Sequence, residues 1–83
     1  MFAVELLPSA ARTLSKLERP IQVRLARRID RLATDPMVGA VKLRGADDVW
    51  RVRVGDYRVV YRIELDRLVV LIIRIGHRRE VYR

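Results

Sequence analysis

The hydrophobic positions of this chain change period twice. From Phe2 to Leu7 they alternate, with Phe2, Val4 and Leu6 on one side and Glu5 on the other, which is the period of a strand. Pro8-Ser9 stops that run and opens a helix, since proline is tolerated in a first helical turn and serine is a good cap. Ala10, Leu14 and Leu17 then recur at helical spacing. Glu18-Arg19-Pro20 breaks the run, and a second helix starts near Pro20. Ile21, Leu25, Ile29 and Leu32 form its apolar stripe, with Arg24, Arg27, Arg28 and Arg31 on the outer face. Asp35-Pro36 ends it. The pair predicts an αα-hairpin that covers one face of a sheet.

Beyond the connector Met37 to Ala40 the period returns to two. Val41-Lys42-Leu43-Arg44-Gly45 admits a short strand ending at glycine, and Ala46-Asp47-Asp48 is a turn. Trp50 to Arg62 reads as two strands joined by Gly55-Asp56, a loop with glycine first, as a type II′ hairpin turn requires. A two-residue loop fixes the register: Val54 faces Tyr57, Arg53 faces Arg58, Val52 faces Val59 and Trp50 faces Tyr61. One face then holds Trp50, Val52, Val54, Tyr57, Val59, Tyr61 and Ile63. The other holds Arg51, Arg53, Arg58 and Arg62, with Val60 among them. After a reversal at Leu65-Asp66-Arg67, Leu68 to Ile75 is nearly all aliphatic, as a central strand covered on both faces should be, with Arg74 its one charge. Gly76 to Arg83 is too short for an independent helix and can supply at most a docked turn. The expected fold is a single α+β domain over residues 1–83. Its order is β-α-α-β-β-β, with the helical hairpin on one face of a mostly antiparallel four-stranded sheet.

Charge changes this picture. The chain carries a formal +8, from 18 basic residues (16 of them arginine) against 10 acidic ones. An excess of that size in 83 residues points to nucleic acid, an acidic protein partner or a membrane surface. Placing Arg53 across from Arg58 is unfavourable in isolation, because like charges at a cross-strand pair repel. Either the guanidinium groups splay apart in screening solvent, or the cluster receives an anion, for which arginine's fixed fork of donors is suited. The arginines of the second helix fit a solvated face or a secondary docking patch. Trp50, Tyr57 and Tyr61 resemble a base-stacking platform, but the register sets them opposite the arginines, in the core.

The residues also exclude chemistries. With no cysteine, disulfides and thiolate metal sites are out, and a reducing cytosol fits. One histidine and scattered carboxylates make no metal-ligand cluster. Ser9 and Ser15 lack the partners of a triad, and the glycine spacing gives no phosphate loop. No segment approaches the length of a membrane helix, and no signal peptide opens the chain, so a soluble cytoplasmic protein is expected. The constellation that remains is arginine, one histidine and a tyrosine near the C-terminus. It suits binding and polarising a phosphodiester, where positioning and charge neutralisation do most of the work. With RNA the nucleophile comes from the substrate's own 2′-hydroxyl.

Three segments together carry a resemblance: Lys42-Leu43-Arg44-Gly45, the hairpin motif from Trp50 to Tyr61, and the closing Gly76-His77-Arg78-Arg79-Glu80-Val81-Tyr82. They resemble the RelE branch of the RelE/ParE toxin superfamily. The resemblance implies a metal-independent, ribosome-dependent endoribonuclease that cleaves A-site mRNA by 2′-hydroxyl attack and needs no cofactor. It implies inhibition by a cognate acidic, RelB-like antitoxin, with operator DNA contacted only through that antitoxin. It implies catalytic roles for Arg58 and Arg78 at the developing charge. Tyr82 would orient the nucleotide or relay a proton, and Arg51 and Arg53 would hold the backbone. Arg62 and Arg79 extend the RNA-binding surface. RelE toxins carry lysines where this chain has Arg51 and Arg53, and arginine does not give up its proton. The general base expected here is therefore His77, whose unperturbed range suits neutral pH, or Tyr82. On the same fold, a ParE-like gyrase poison generally lacks the terminal Arg78 and Tyr82, and a non-catalytic basic module is the third reading.

Overall fold

The computed structural model describes every residue except 46 and 78–83. Strand β1 (Ala3–Leu6) leads through Leu7 into α1 (Pro8–Ser15). Leu7 itself is the N-cap and makes no side-chain cap bond, so Ser9 does not cap the helix as expected. Ser9 lies inside the first turn, and its carbonyl accepts from the Thr13 hydroxyl at 3.0 Å. Pro8 supplies the start instead, its missing N–H costing nothing at that position. Helix α2 (Arg19–Leu32) carries Pro20 in its first turn and buries Leu25, Ile29 and Leu32, with Ile21 partly covered. Ala10 of α1 joins them beneath the helical hairpin.

The connector after α2 is tied from both sides. The buried Tyr61 hydroxyl donates to the Pro36 carbonyl, and Arg28 Nη2 donates to the Val38 carbonyl at 2.6 Å. Arg28 is thus half-buried and engaged, rather than on the outer face with Arg24, Arg27 and Arg31. Burial pushes the Tyr61 hydroxyl up to about 12, against the opposing pull of the Arg28 charge.

Four strands follow: β2 (Val41–Lys42), β3 (Val49–Val54), β4 (Tyr57–Glu64) and β5 (Val69–His77). The sheet has five strands in the order β1-β5-β4-β3-β2, one more than expected because the two-residue β2 pairs with β3. Strand β1 runs parallel to β5 and the other pairs are antiparallel. The hairpin register is as the loop length dictated, from Val54↔Tyr57 to Trp50↔Tyr61. Gly55 takes φ +59°, which the first position of the turn demands and glycine alone adopts cheaply.

Core side chains come from one face of this sheet. Val52, Val59, Tyr61 and Ile63 of the hairpin meet Val70, Ile72 and Ile75 of β5 and the buried stripe of α2. Phe2, Val4, Leu6 and Trp50 close the periphery. Each fully buried aliphatic chain stabilises by about 1.5–3 kcal/mol before chain entropy is counted. One irregularity breaks the ladder. Val60 pairs with Arg74, but the next residue, Tyr61, pairs with Ile72, so Ile73 is an extra residue in β5. That is a β-bulge, and it reverses which side β5 residues face on either side of it.

Candidate functional site

On the sheet face turned away from the helices, residues from five strands form rows. Val49, Arg62, Leu71 and Glu5 make one row. Val41, Arg51, Val60 and Arg74 make the next, and Arg53, Arg58 and Gly76 the third. Opposed residues on paired strands lie about 5 Å apart at Cβ, so the Arg53 and Arg58 side chains leave neighbouring backbones on the same face. Arg58 is only 2% exposed, among the largest buried side chains of the protein, while Arg53, Arg62 and Arg74 are exposed and Arg51 is half-buried. Burying a guanidinium is expensive, and a solvated, splayed arrangement leaves none buried. Of the two readings of the Arg53–Arg58 opposition, the splayed one fails for Arg58.

Arg51 adds a second sign. Its Nε is buried and has no hydrogen-bond partner among the described residues, a rare and costly condition for a donor. Among the described residues, the strand carboxylates on this face, Glu5 and Glu64, lie at its other end. There Arg67 takes both, with Nη1 at 2.6 Å from Glu64 and Nη2 at 3.8 Å from Glu5.

The structure therefore gathers Arg51, Arg53, Arg58 and Arg62 on one surface, as the hairpin register predicted. It separates His77 from them. His77 pairs with Tyr57 and packs its ring edge-on against the tyrosine, centroids 5.3 Å apart, on the helix side of the sheet. Strand parity turns His77 to the side opposite the arginine face, so the structure does not bring this expected proton acceptor together with the strand arginines. Arg78, Arg79 and Tyr82 lie outside the described residues. Sequence reasoning missed Arg74. Counted from Ile72 by simple alternation it belongs in the core, and only the bulge at Ile73 brings it beside Val60 on the arginine face. The signal was there, since an arginine two residues from a core isoleucine in an aliphatic strand requires either burial or a bulge.

A second basic concavity of about 340 Å³ lies between α2 and the hairpin tip, lined by Arg24, Arg27, Arg28, Arg31 and Arg53. No arginine lining it is fully buried, and Arg28 is committed to Val38. Among the described residues no group of three His, Asp or Glu side chains could hold a metal ion. No helix is long and apolar enough to cross a membrane.

Comparisons with known proteins agree on one group. Residues 4–82 match the family model described as the ParE toxin of the type II toxin–antitoxin system parDE. The mRNA interferase toxin RelE of Escherichia coli is 31% identical over 71 residues, covering 81% of this chain and 75% of that protein. The crystal structure of the isolated Escherichia coli RelE toxin superposes with a TM-score of 0.85 at 27% identity, over 99% of this chain and 92% of that one. The toxin–antitoxin complex RelBE2 from Mycobacterium tuberculosis gives a TM-score of 0.82 at 29% identity, over 93% and 98%.

Proposed function

This chain belongs to the ParE toxin family of type II toxin–antitoxin systems, on its RelE side, and from that premise we propose that it is an endoribonuclease cleaving mRNA in the ribosomal A site. The observation that carries the reading is the buried Arg58 side chain on the face that it shares with Arg51 and Arg53. That arrangement is costly for folding and matched to a phosphodiester. In the proposed reaction the ribose 2′-oxygen attacks its own phosphorus and the 5′-oxygen leaves, giving a 2′,3′-cyclic phosphate and a 5′-hydroxyl. Arg58 stabilises the charge gathering on the non-bridging oxygens. Arg51 and Arg53 hold the flanking backbone, and the unpartnered Arg51 Nε supplies a ready donor. Arg78 shares the charge, and Tyr82 orients the nucleotide and relays the proton. Tyr82 takes the acid–base role because arginine does not deprotonate and His77 faces the helices. The chemistry needs no metal or other cofactor, so chelator leaves the rate unchanged.

The partner implied by a +8 surface is an acidic antitoxin that folds on binding and covers the arginines, as the RelB–RelE complexes among the structural relatives pair toxin with antitoxin. Contact with operator DNA passes through that antitoxin alone. The family model bears the ParE name, which favours a second reading, poisoning of DNA gyrase. One experiment separates the two. Purified protein is added to ribosomes programmed with a defined mRNA, and to gyrase with supercoiled plasmid. Codon-specific 3′ ends that vanish with Arg58→Ala support the nuclease. Intact mRNA with accumulating gyrase–DNA cleavage complexes rejects it.

A further inference from the structure

We infer that Arg74 is an additional RNA-backbone contact of the arginine face, gripping a phosphate beside the one that Arg58 serves. The inference deepens the nuclease reading and rests on it for the identity of the polyanion. Its physical basis is the bulge in β5. Ladder pairing is continuous from Tyr57↔His77 to Val60↔Arg74, then skips Ile73 and resumes at Tyr61↔Ile72. A bulge leaves one residue out of the ladder and increases local twist. A central strand built from Val, Leu and Ile needs no such break to fold.

What the break achieves is a change of side. With simple alternation Arg74 would share the face of Ile72, which is fully buried in the core. The bulge sets it instead opposite Val60, in the row that Arg51 enters from the other strand. Arg51 and Arg74 flank Val60, and Arg74 lies diagonally next to Arg58, whose direct partner on β5 is Gly76. Diagonal neighbours across a strand pair are about 7–8 Å apart. That separation lets two guanidinium groups engage different phosphates of one strand rather than compete for one. The half-buried Val60 between Arg51 and Arg74 offers a small apolar seat bounded by donors on both sides. Glycine at position 76 leaves the third row without a side chain on β5.

The test uses the full chain and a short single-stranded oligoribonucleotide with 2′-O-methyl riboses, which bind but cannot attack their own phosphates. Affinity is measured by fluorescence anisotropy across a potassium chloride series for the wild type, Arg74→Ala, Arg74→Lys and Arg12→Ala. Arg12 is exposed on α1 and removes the same charge from the helix side. The expected result is a loss of about 5- to 10-fold for Arg74→Ala, with the log–log salt slope shallower by about 0.7, the value for one phosphate contact on a single strand. Arg74→Lys keeps the slope and part of the affinity. Arg12→Ala stays within about twofold of wild type. Arg74→Ala indistinguishable from Arg12→Ala overturns the inference, as does a wild-type chain that does not bind the oligonucleotide. Failure of the nuclease reading shows elsewhere, as ribosome-dependent cleavage untouched by Arg58→Ala.

Discussion

The two faces of the β3–β4 hairpin are made by alternate residues of the same thirteen positions, from Trp50 to Arg62, yet they answer to different demands. Toward the helices, Val52, Val59 and Tyr61 are at most 1% exposed, and the buried Tyr61 hydroxyl is hydrogen-bonded. Away from them, Arg51, Arg53, Arg58 and Arg62 gather like charge in adjacent rows. The first arrangement lowers the free energy of the folded chain. The second opposes folding where like charges face each other across the strands, at Arg53 and Arg58. On the proposed function that face is kept for a ligand, and the helix side supplies the stability that tolerates it.

Neighbouring residues 58 and 59 give the sharpest way to break this comparison, since they share a strand and differ only in side. Arg58→Ala should lower the single-turnover cleavage rate on programmed ribosomes by about 100- to 1,000-fold, the loss typical of one donor removed from a charged transition state. Val59→Ala should instead cost about 2 kcal/mol of stability, lowering the thermal midpoint by roughly 8–16 °C, with cleavage per folded molecule unchanged. A Val59→Ala protein that stays folded but loses cleavage would dissolve the division between the faces.

Tyr61→Phe probes the polar atom on the apolar side. Loss of the bond to the Pro36 carbonyl should cost about 1 kcal/mol in denaturant unfolding. The pH dependence follows from burial, which raises the hydroxyl from 10.0 to about 12 in the folded chain. The folded protein holds a proton that the unfolded chain releases, so this contribution is complete below pH 10 and fades as pH climbs through 12. The phenylalanine variant should lose that alkaline slope. The smallest effect is expected from Arg53→Ala. Relief of its opposition to Arg58 should raise stability by a few tenths of a kcal/mol in the same unfolding assay, while weakening RNA binding. Opposite signs from one substitution would state the trade between the faces directly.

Most of the fold was legible in the sequence because its signals are local. The two-residue Gly55-Asp56 loop fixed the register of six residue pairs, and alternation in Phe2–Leu6 and the i, i+4 stripe of α2 placed the core residues. What was not legible depends on partners distant in sequence. The pairing of β2 needs only two residues, too few to carry a pattern. Arg28 looked like its exposed neighbours until the connector folded back beneath it. The arginine face could be assembled from the hairpin alone, but the burial of Arg58 could not be read from it. The faces of Arg74 and His77 could not be read along the chain, because a skipped residue at Ile73 shifts parity in β5 and simple alternation does not register it.

One feature of the topology bears on how such a protein can be made safely. The last strand in sequence, β5, is not at the sheet margin but between β1 and β4, and it is the neighbour that joins the first strand to the rest. Until Val69 to His77 has been synthesised, β1 has no strand to lie beside and the Arg58 row has no third member. A nascent chain therefore cannot assemble its arginine surface in full before that central strand has been made.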